Sequence, residues 1–221
     1  MSEIILCEKN IHEYIGDTIN DCVIGKIHMA QDLYHHNTSY GLASSVIKHG
    51  ILSMGSINRL GIRKYSDEFL RTMSDIDSHV NGQNGVSLSL VGLTDLYPNE
   101  DEYDPFKENF VDFLVTKNIK TYRMTIHYGN EFVTNDIAPD KLLSLAIRLL
   151  KYMERLKTNK IMPFEKNATQ QLIEAYNNLL ESAKALKQTN LNVPIREMSN
   201  NDNLSLDIEK LSQSPKILIK K

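Results

Sequence analysis

The chain is poor in cysteine: Cys7 and Cys22 are its only two among 221 residues. Two cysteines so placed are too few for a disulfide scaffold and lack the spacing of the usual zinc sites, so nothing demands an oxidising compartment. No apolar run approaches the ~20 residues of a membrane span. The opening Met-Ser-Glu-Ile-Ile-Leu-Cys-Glu-Lys-Asn lacks the basic start and long apolar core of a signal peptide. The expectation is a cytoplasmic protein with no membrane partner. An excess of one charge is missing too. With 25 basic and 28 acidic residues, net charge −3 and a pI near 6.2, a globally basic protein that coats nucleic acid is excluded, while a local basic surface is not. Internal repeats and long low-complexity tracts are also missing. Asp101, Glu102 and Asp104 have no metal-loop spacing, so no metal is expected.

What is present is an ordinary globular composition, 41% apolar and 24% charged, long enough to bury a proper core. Ile4, Ile5 and Leu6 open the chain, and Ile11, Tyr14, Ile15, Ile19, Val23 and Ile24 have loosely helical spacing. Residues 66–77 read as a short polar helix and 92–109 as an acidic loop. Val86 to Val91 alternates apolar residues with Ser87 and Ser89, the period-two pattern of a half-buried strand. Strand-like runs follow at 110–115, 121–127 and 131–134. From Pro139, the spacing of Leu142, Leu145, Leu149, Met153 and Leu156 predicts one long helix. Ala168, Leu172, Ala175, Leu179, Ala183 and Leu186 predict a second over about 163–187, the two packing as an antiparallel hairpin. The polar residues from Gln188 onward read as a flexible tail.

The richest segment is Leu33-Tyr34-His35-His36-Asn37-Thr38-Ser39, which runs into Tyr40, Gly41 and Leu42. It reads as a buried strand ending in histidine, a hydroxyl-rich turn, a short helix and a glycine stop. Leu42, Ala43, Val46 and Ile47 form one apolar helix face, with Ser39 or Thr38 available as N-cap. Gly50 stands where a left-handed C-cap glycine ends such a helix, and Ile51-Leu52 returns to the core. His36 thus lies just upstream of a helix N-terminus, an anion-friendly corner where a nucleotide ribose can be hydrogen-bonded. An isolated histidine in this setting more often satisfies buried backbone groups. A one-residue change of register would put His35 there instead.

This segment resembles the first motif of the ADP-ribosyltransferase-fold superfamily, and two later segments keep the same order. Ser87-Leu88-Ser89 is similar to the serine-containing strand that lines the nicotinamide pocket. Gly129 to Asp140, with Glu131 and the step Ile137-Ala138-Pro139, is similar to the strand bearing the family's key glutamate. The resemblance spans residues 30 to 140 or so. It departs from the arginine-modifying transferases, which carry an acid or glutamine two positions before the glutamate, where this chain has Gly129. RNA 2′-phosphotransferases share the fold, but they use several arginines to grip a phosphate, and Arg59, Arg63 and Arg71 show no such arrangement.

The resemblance implies an α+β fold with a split, mostly antiparallel sheet over 1–139, followed by the helical hairpin over 140–187 and the tail over 188–221. It implies NAD as co-substrate and transfer of ADP-ribose to a macromolecule, by a small bacterial or phage toxin or conflict effector. Glu131 would be the catalytic acid, and His36, Thr38, Ser39, Tyr40, Ser87 and Ser89 would bind NAD, with Tyr65 or Tyr97 as other stacking candidates. Arg59, Arg63 and Lys64 would meet the acceptor. RNA or DNA is slightly favoured, because these basic residues follow the first motif and the second acid is missing; a protein target is nearly as plausible. Arg148, Lys151 and Arg155 form a second basic stripe, more simply a solvated helix face. From another class, the chain would be a non-catalytic binding module, with an antitoxin or regulatory protein on the hairpin or tail.

Overall fold

The computed structural model describes residues 2–27, 33–64, 85–91, 110–123, 131–157, 167–199 and 202–219. The segments predicted as a polar helix at 66–77 and an acidic loop at 92–109 lie outside these, as do Tyr65, Arg71 and Tyr97. The described chain is mixed α/β. Its elements begin with β1 (Glu3–Leu6), α1 (Glu8–Asp21), β2 (Val23–Lys26), β3 (Leu33–Ser39), α2 (Tyr40–His49) and α3 (Met54–Arg59). Then come β4 (Val86–Val91), β5 (Phe110–Val115), β6 (Tyr122–Arg123), β7 (Glu131–Thr134) and β8 (Leu142–Ile147). The chain ends with α4 (Leu149–Lys157), α5 (Ala168–Thr189), β9 (Ile195–Ser199), β10 (Asp202–Leu206), α6 (Ile208–Gln213) and β11 (Lys216–Ile219).

Nine strands form one sheet in the order β2-β10-β9-β8-β5-β3-β4-β7-β6, and β1 pairs with β11 in a separate parallel ribbon. Within the large sheet only β8 and β9 run parallel; the other pairings are antiparallel. One face of the sheet is covered by helices. Ile11, Ile15 and Ile19 of α1 recur every fourth residue and are fully buried, as a single helical stripe must be. Tyr40, Ala43 and Ile47 of α2 pack towards α5, whose Leu172, Tyr176, Leu179 and Ala183 form the centre of the core.

Three expectations are corrected here. The helix predicted from Pro139 is a strand over Leu142–Ile147 and a helix only from Leu149. A central strand flanked by β5 and β9 is buried on both faces apart from Leu143, so it reads as a nearly continuous apolar run, interrupted only by Ser144, that helical spacing also fits. The tail predicted from 188 is folded: β9 and β10 join the large sheet beside β8 and β2, and β11 pairs with β1. Strands on either side of positions 139 and 187 thus belong to one sheet. The second helix does form, over Ala168–Thr189, and ends on Asn190 in the left-handed conformation, φ 53°.

Candidate functional site

The first motif folds in the expected order of strand, short helix and glycine stop, and it opens a cavity. Helix α2 ends at Gly50, which has φ 83°. A Cβ there would lie only 2.0 Å from the Ile137 carbonyl oxygen. Glycine is thus required twice, by its torsion and by the close passage of the chain that follows β7. Ile51 and Ile137 then exchange both backbone hydrogen bonds, at 2.9 and 2.8 Å. The next residues are fastened by Asp136, whose carboxylate accepts from the Ser53 backbone N–H at 2.7 Å and from the Ser56 hydroxyl. Ser53 caps α3 by accepting from the Ser56 N–H, and the Arg59 guanidinium donates to Ser56 Oγ at 2.8 Å.

Between this fastened segment, α2 and the ends of β3 and β4 lies a cavity of about 480 Å³. That volume lies within the range of small-molecule pockets, roughly 300–1,000 Å³. His36, Thr38, Ser87 and Arg63 supply polar groups to its wall. Leu42, Val46, Ile51, Leu52, Met54, Ile57 and Ile62 make the rest largely apolar. Leu42 and Val46, predicted as part of the buried helix face, serve as this wall instead, with Leu42 39% exposed. One wall can take an aromatic ring while the other can bind ribose hydroxyls and an anionic group.

His36 is positioned by its Nδ1, 3.0 Å from the Ser87 carbonyl oxygen. Burial lowers its pKa, outweighing the Ser87 carbonyl, which raises it; the imidazole is neutral. A carbonyl only accepts, so the proton sits on Nδ1 and Nε2 is left as an acceptor. That is the state needed to accept a hydrogen bond from a ribose hydroxyl.

His35 points elsewhere. Its Nδ1 is 3.1 Å from Asp112 Oδ1, which also accepts from Asn37 Nδ2 at 2.9 Å, while Asp112 Oδ2 accepts from Arg148 at 2.6 Å. Burial acts to raise the pKa of Asp112, but the hydrogen bond from His35 and the charge of Arg148 outweigh it and hold the carboxyl well below the usual range. Arg148 is buried in this pair, so it does not join Lys151 and Arg155 in a phosphate-binding helix face.

The structure brings His36, Thr38 and the Ser87 carbonyl together at the cavity, while register puts the Ser89 and Glu131 positions in the row of His35, on the face of the sheet opposite to His36. Ser39 occupies the N-cap position of α2 without a side-chain capping bond. Tyr40 does not face the cavity as a stacking residue. It is the first residue of α2, 4% exposed within the core, and burial pushes its phenol well above the ordinary pKa. Ser89 stands opposite His35 on β3 and opposite Glu131 on β7, so these three backbone positions form one row across adjacent strands. The Glu131 side chain lies outside the described part of the structure. Arg63 lines the cavity, Arg59 is tied to Ser56, and Lys64 is exposed beside it.

Two structural acids escaped sequence reasoning. Asp112 interrupts the apolar run Phe110-Val111-Asp112-Phe113-Leu114-Val115, and an acid inside a buried strand is a signal of a paired carboxylate. Asp136 gave no signal beyond the Ser53-x-x-Ser56 capping spacing that it reinforces. Comparison of the chain with protein-family models, curated proteins and solved structures found no match.

Proposed function

We propose that this chain cleaves NAD and transfers the ADP-ribose to a macromolecular acceptor, nucleic acid being favoured over protein. The observation that carries the reading is that β3, β4 and β7, far apart in sequence, are immediate neighbours in the sheet. They bear the histidine, Ser-x-Ser and glutamate motifs, and the cavity opens where β3 and β4 end. A nucleotide fits that cavity chemically: His36 Nε2 and the Thr38 hydroxyl meet ribose hydroxyls, Arg63 meets the pyrophosphate, and Leu42 and Val46 pack against a base.

The bond between nicotinamide nitrogen and ribose C1′ breaks with its electron pair going to nicotinamide, so positive charge develops on the sugar. We assign the carboxylate that stabilises that charge to Glu131 of β7, whose position falls in the row of His35 and Ser89 and not in that of His36, so the motifs share adjacent strands but not one face of the sheet. The acceptor then bonds to C1′ and gives up its proton.

Nicotinamide release from NAD, followed with and without acceptor, tests the reading. Glu131→Gln keeps the side chain's size and removes its charge, and it should slow release by about 10²–10³-fold while melting like wild type. Full activity in that variant rejects the assignment of Glu131. Labelled NAD offered to RNA, DNA and protein fractions identifies the acceptor.

A further inference from the structure

The end of the sheet beyond β7 carries a second chemistry. From Lys117 to Arg123 the chain reads Lys-Asn-Ile-Lys-Thr-Tyr-Arg, three cations and no acid in a protein of net charge −3. From Ile119 to Tyr122 its side chains alternate. Ile119 packs on the main core and the Thr121 hydroxyl meets the Tyr34 hydroxyl at 3.0 Å, so Lys120 and Tyr122 face outward. Tyr122 is 59% exposed, a large ring left in solvent on an edge strand. Lys120 Nζ lies 5.3 Å from the centre of that ring.

The segment is held firmly. Thr134 Oγ1 donates to the Lys120 carbonyl at 2.8 Å, and β6 pairs with β7 through Tyr122 opposite Val133 and Arg123 opposite Phe132. Tyr34, which anchors Thr121, itself packs edge-on against Phe132. An aromatic ring fixed on a strand and flanked by cations is the arrangement that binds single-stranded nucleic acid: bases stack on the ring while the cations neutralise phosphates. An acidic peptide would be drawn by the same cations but has no base to stack.

We infer that the β6 edge, centred on Tyr122 with Lys120, is a docking surface for single-stranded nucleic acid, which is the acceptor. Val133, opposite Tyr122, lies two positions along β7 from Glu131. At strand rise that is about 7 Å, roughly two stacked nucleotide steps. Tyr122 and Val133 fall on the same face of the sheet as the Glu131 position, the face of His35 and not of His36, so a base stacked on Tyr122 brings a neighbouring nucleotide alongside Glu131. The acceptor role rests on the ADP-ribose-transfer reading; the binding surface does not.

The test is fluorescence anisotropy of short labelled single strands, DNA and RNA in separate arms, titrated with the full chain without NAD. Matched duplex and polyglutamate serve as competitors. Tyr122→Ala should weaken binding about 5- to 150-fold and Tyr122→Phe should leave it unchanged. Lys120→Gln should reduce the slope of log affinity against log salt by about 0.7. Nicotinamide release without acceptor should be unaffected in all of them. If Tyr122→Ala melts below wild type, Tyr122→Leu, which keeps an apolar strand residue without a π face, makes the same comparison. No binding of either strand at low salt, undiminished binding in Tyr122→Ala and Tyr122→Leu, or equal competition by duplex or polyglutamate overturns the inference. Nicotinamide release without strand binding rejects this surface alone, and strand binding without release rejects the enzymatic reading alone.

Discussion

The 3.0 Å hydrogen bond between His36 Nδ1 and the Ser87 carbonyl decides what that imidazole offers the cavity. With the proton held on Nδ1, Nε2 can only accept. His36→Ala should therefore weaken NAD binding by on the order of 1 kcal/mol, about fivefold, by calorimetry. His35→Ala removes a partner of buried Asp112 and should lower stability by about 1–3 kcal/mol while leaving NAD affinity near wild type. The reverse pattern would place His35 in the binding site.

The same bond sets a pH dependence. His36 has its pKa lowered by burial from the ordinary 6.5, so the unfolded chain takes up a proton at higher pH than the folded one does. Its contribution to stability is complete above 6.5 and is lost as pH falls towards the lowered folded value. NAD affinity should stay flat through the usual histidine range and drop only on the acid side of it, because protonation turns Nε2 from acceptor into donor. A midpoint in binding at or above 6.5 would contradict the buried, neutral imidazole.

Arg63 and Lys64 are adjacent in sequence, but only Arg63 lines the cavity. Charge removal should separate them. Arg63→Gln should raise the KM for NAD severalfold in nicotinamide release without acceptor. Lys64→Gln should leave that reaction unchanged and affect at most transfer to acceptor. Parallel losses in both variants would mean that the basic loop acts as a unit.

Local chemistry explains which parts were legible. The strand, helix and glycine stop from Leu33 to Gly50 could be read because helical spacing and a glycine required at the stop both act within a few residues, although the expected side-chain cap from Ser39 is not made. The strand character of Leu142 to Ile147 could not, because burial on both faces is a property of its neighbours β5 and β9 and erases alternation. Polar residues after Gln188 suggested disorder, yet Ile195, Leu206, Leu211 and Ile217 are buried there, too sparsely spaced to show a period. At the site, residue types pointed to His36, Thr38 and Ser87. The separation of Ser89 and Tyr40 from them depends on register and on which side of α2 meets α5, which no local pattern encodes.

Glu197 tests the folded character of the C-terminal segment. Its fully buried carboxyl group, on β9, accepts from the Leu149 and Leu150 N–H groups, both at 3.1 Å, and so caps α4. Burial pushes its pKa up to about 8, against the opposing pull of those N–H groups and Arg148. The folded state then holds a proton that the unfolded chain releases near 4.5, so stability should fall as pH rises from 4.5 towards 8. The slope is about 1.4 kcal/mol per pH unit at most. Glu197→Gln should remove that slope in chemical denaturation, and Glu197→Ala should cost about 1–3 kcal/mol by leaving two buried donors unpaired. A slope of equal size in Glu197→Gln would assign it to other groups.

Gly50→Ala is the sharpest test of the cavity's architecture. The added methyl meets the Ile137 carbonyl oxygen at 2.0 Å with backbone on both sides, so no flexible side chain can yield, and φ 83° is strained for alanine as well. Relief requires parting Ile51 from Ile137, which breaks both of their hydrogen bonds and draws Ser53 away from Asp136. The loss should exceed the ~1 kcal/mol of the torsion alone and reach several kcal/mol. NAD affinity should fall with it, since Ile51, Leu52 and Ser53 form the cavity wall. Thermal melting and NAD titration of the same preparation decide the matter: a variant that melts like wild type would show that the two segments do not meet at Gly50.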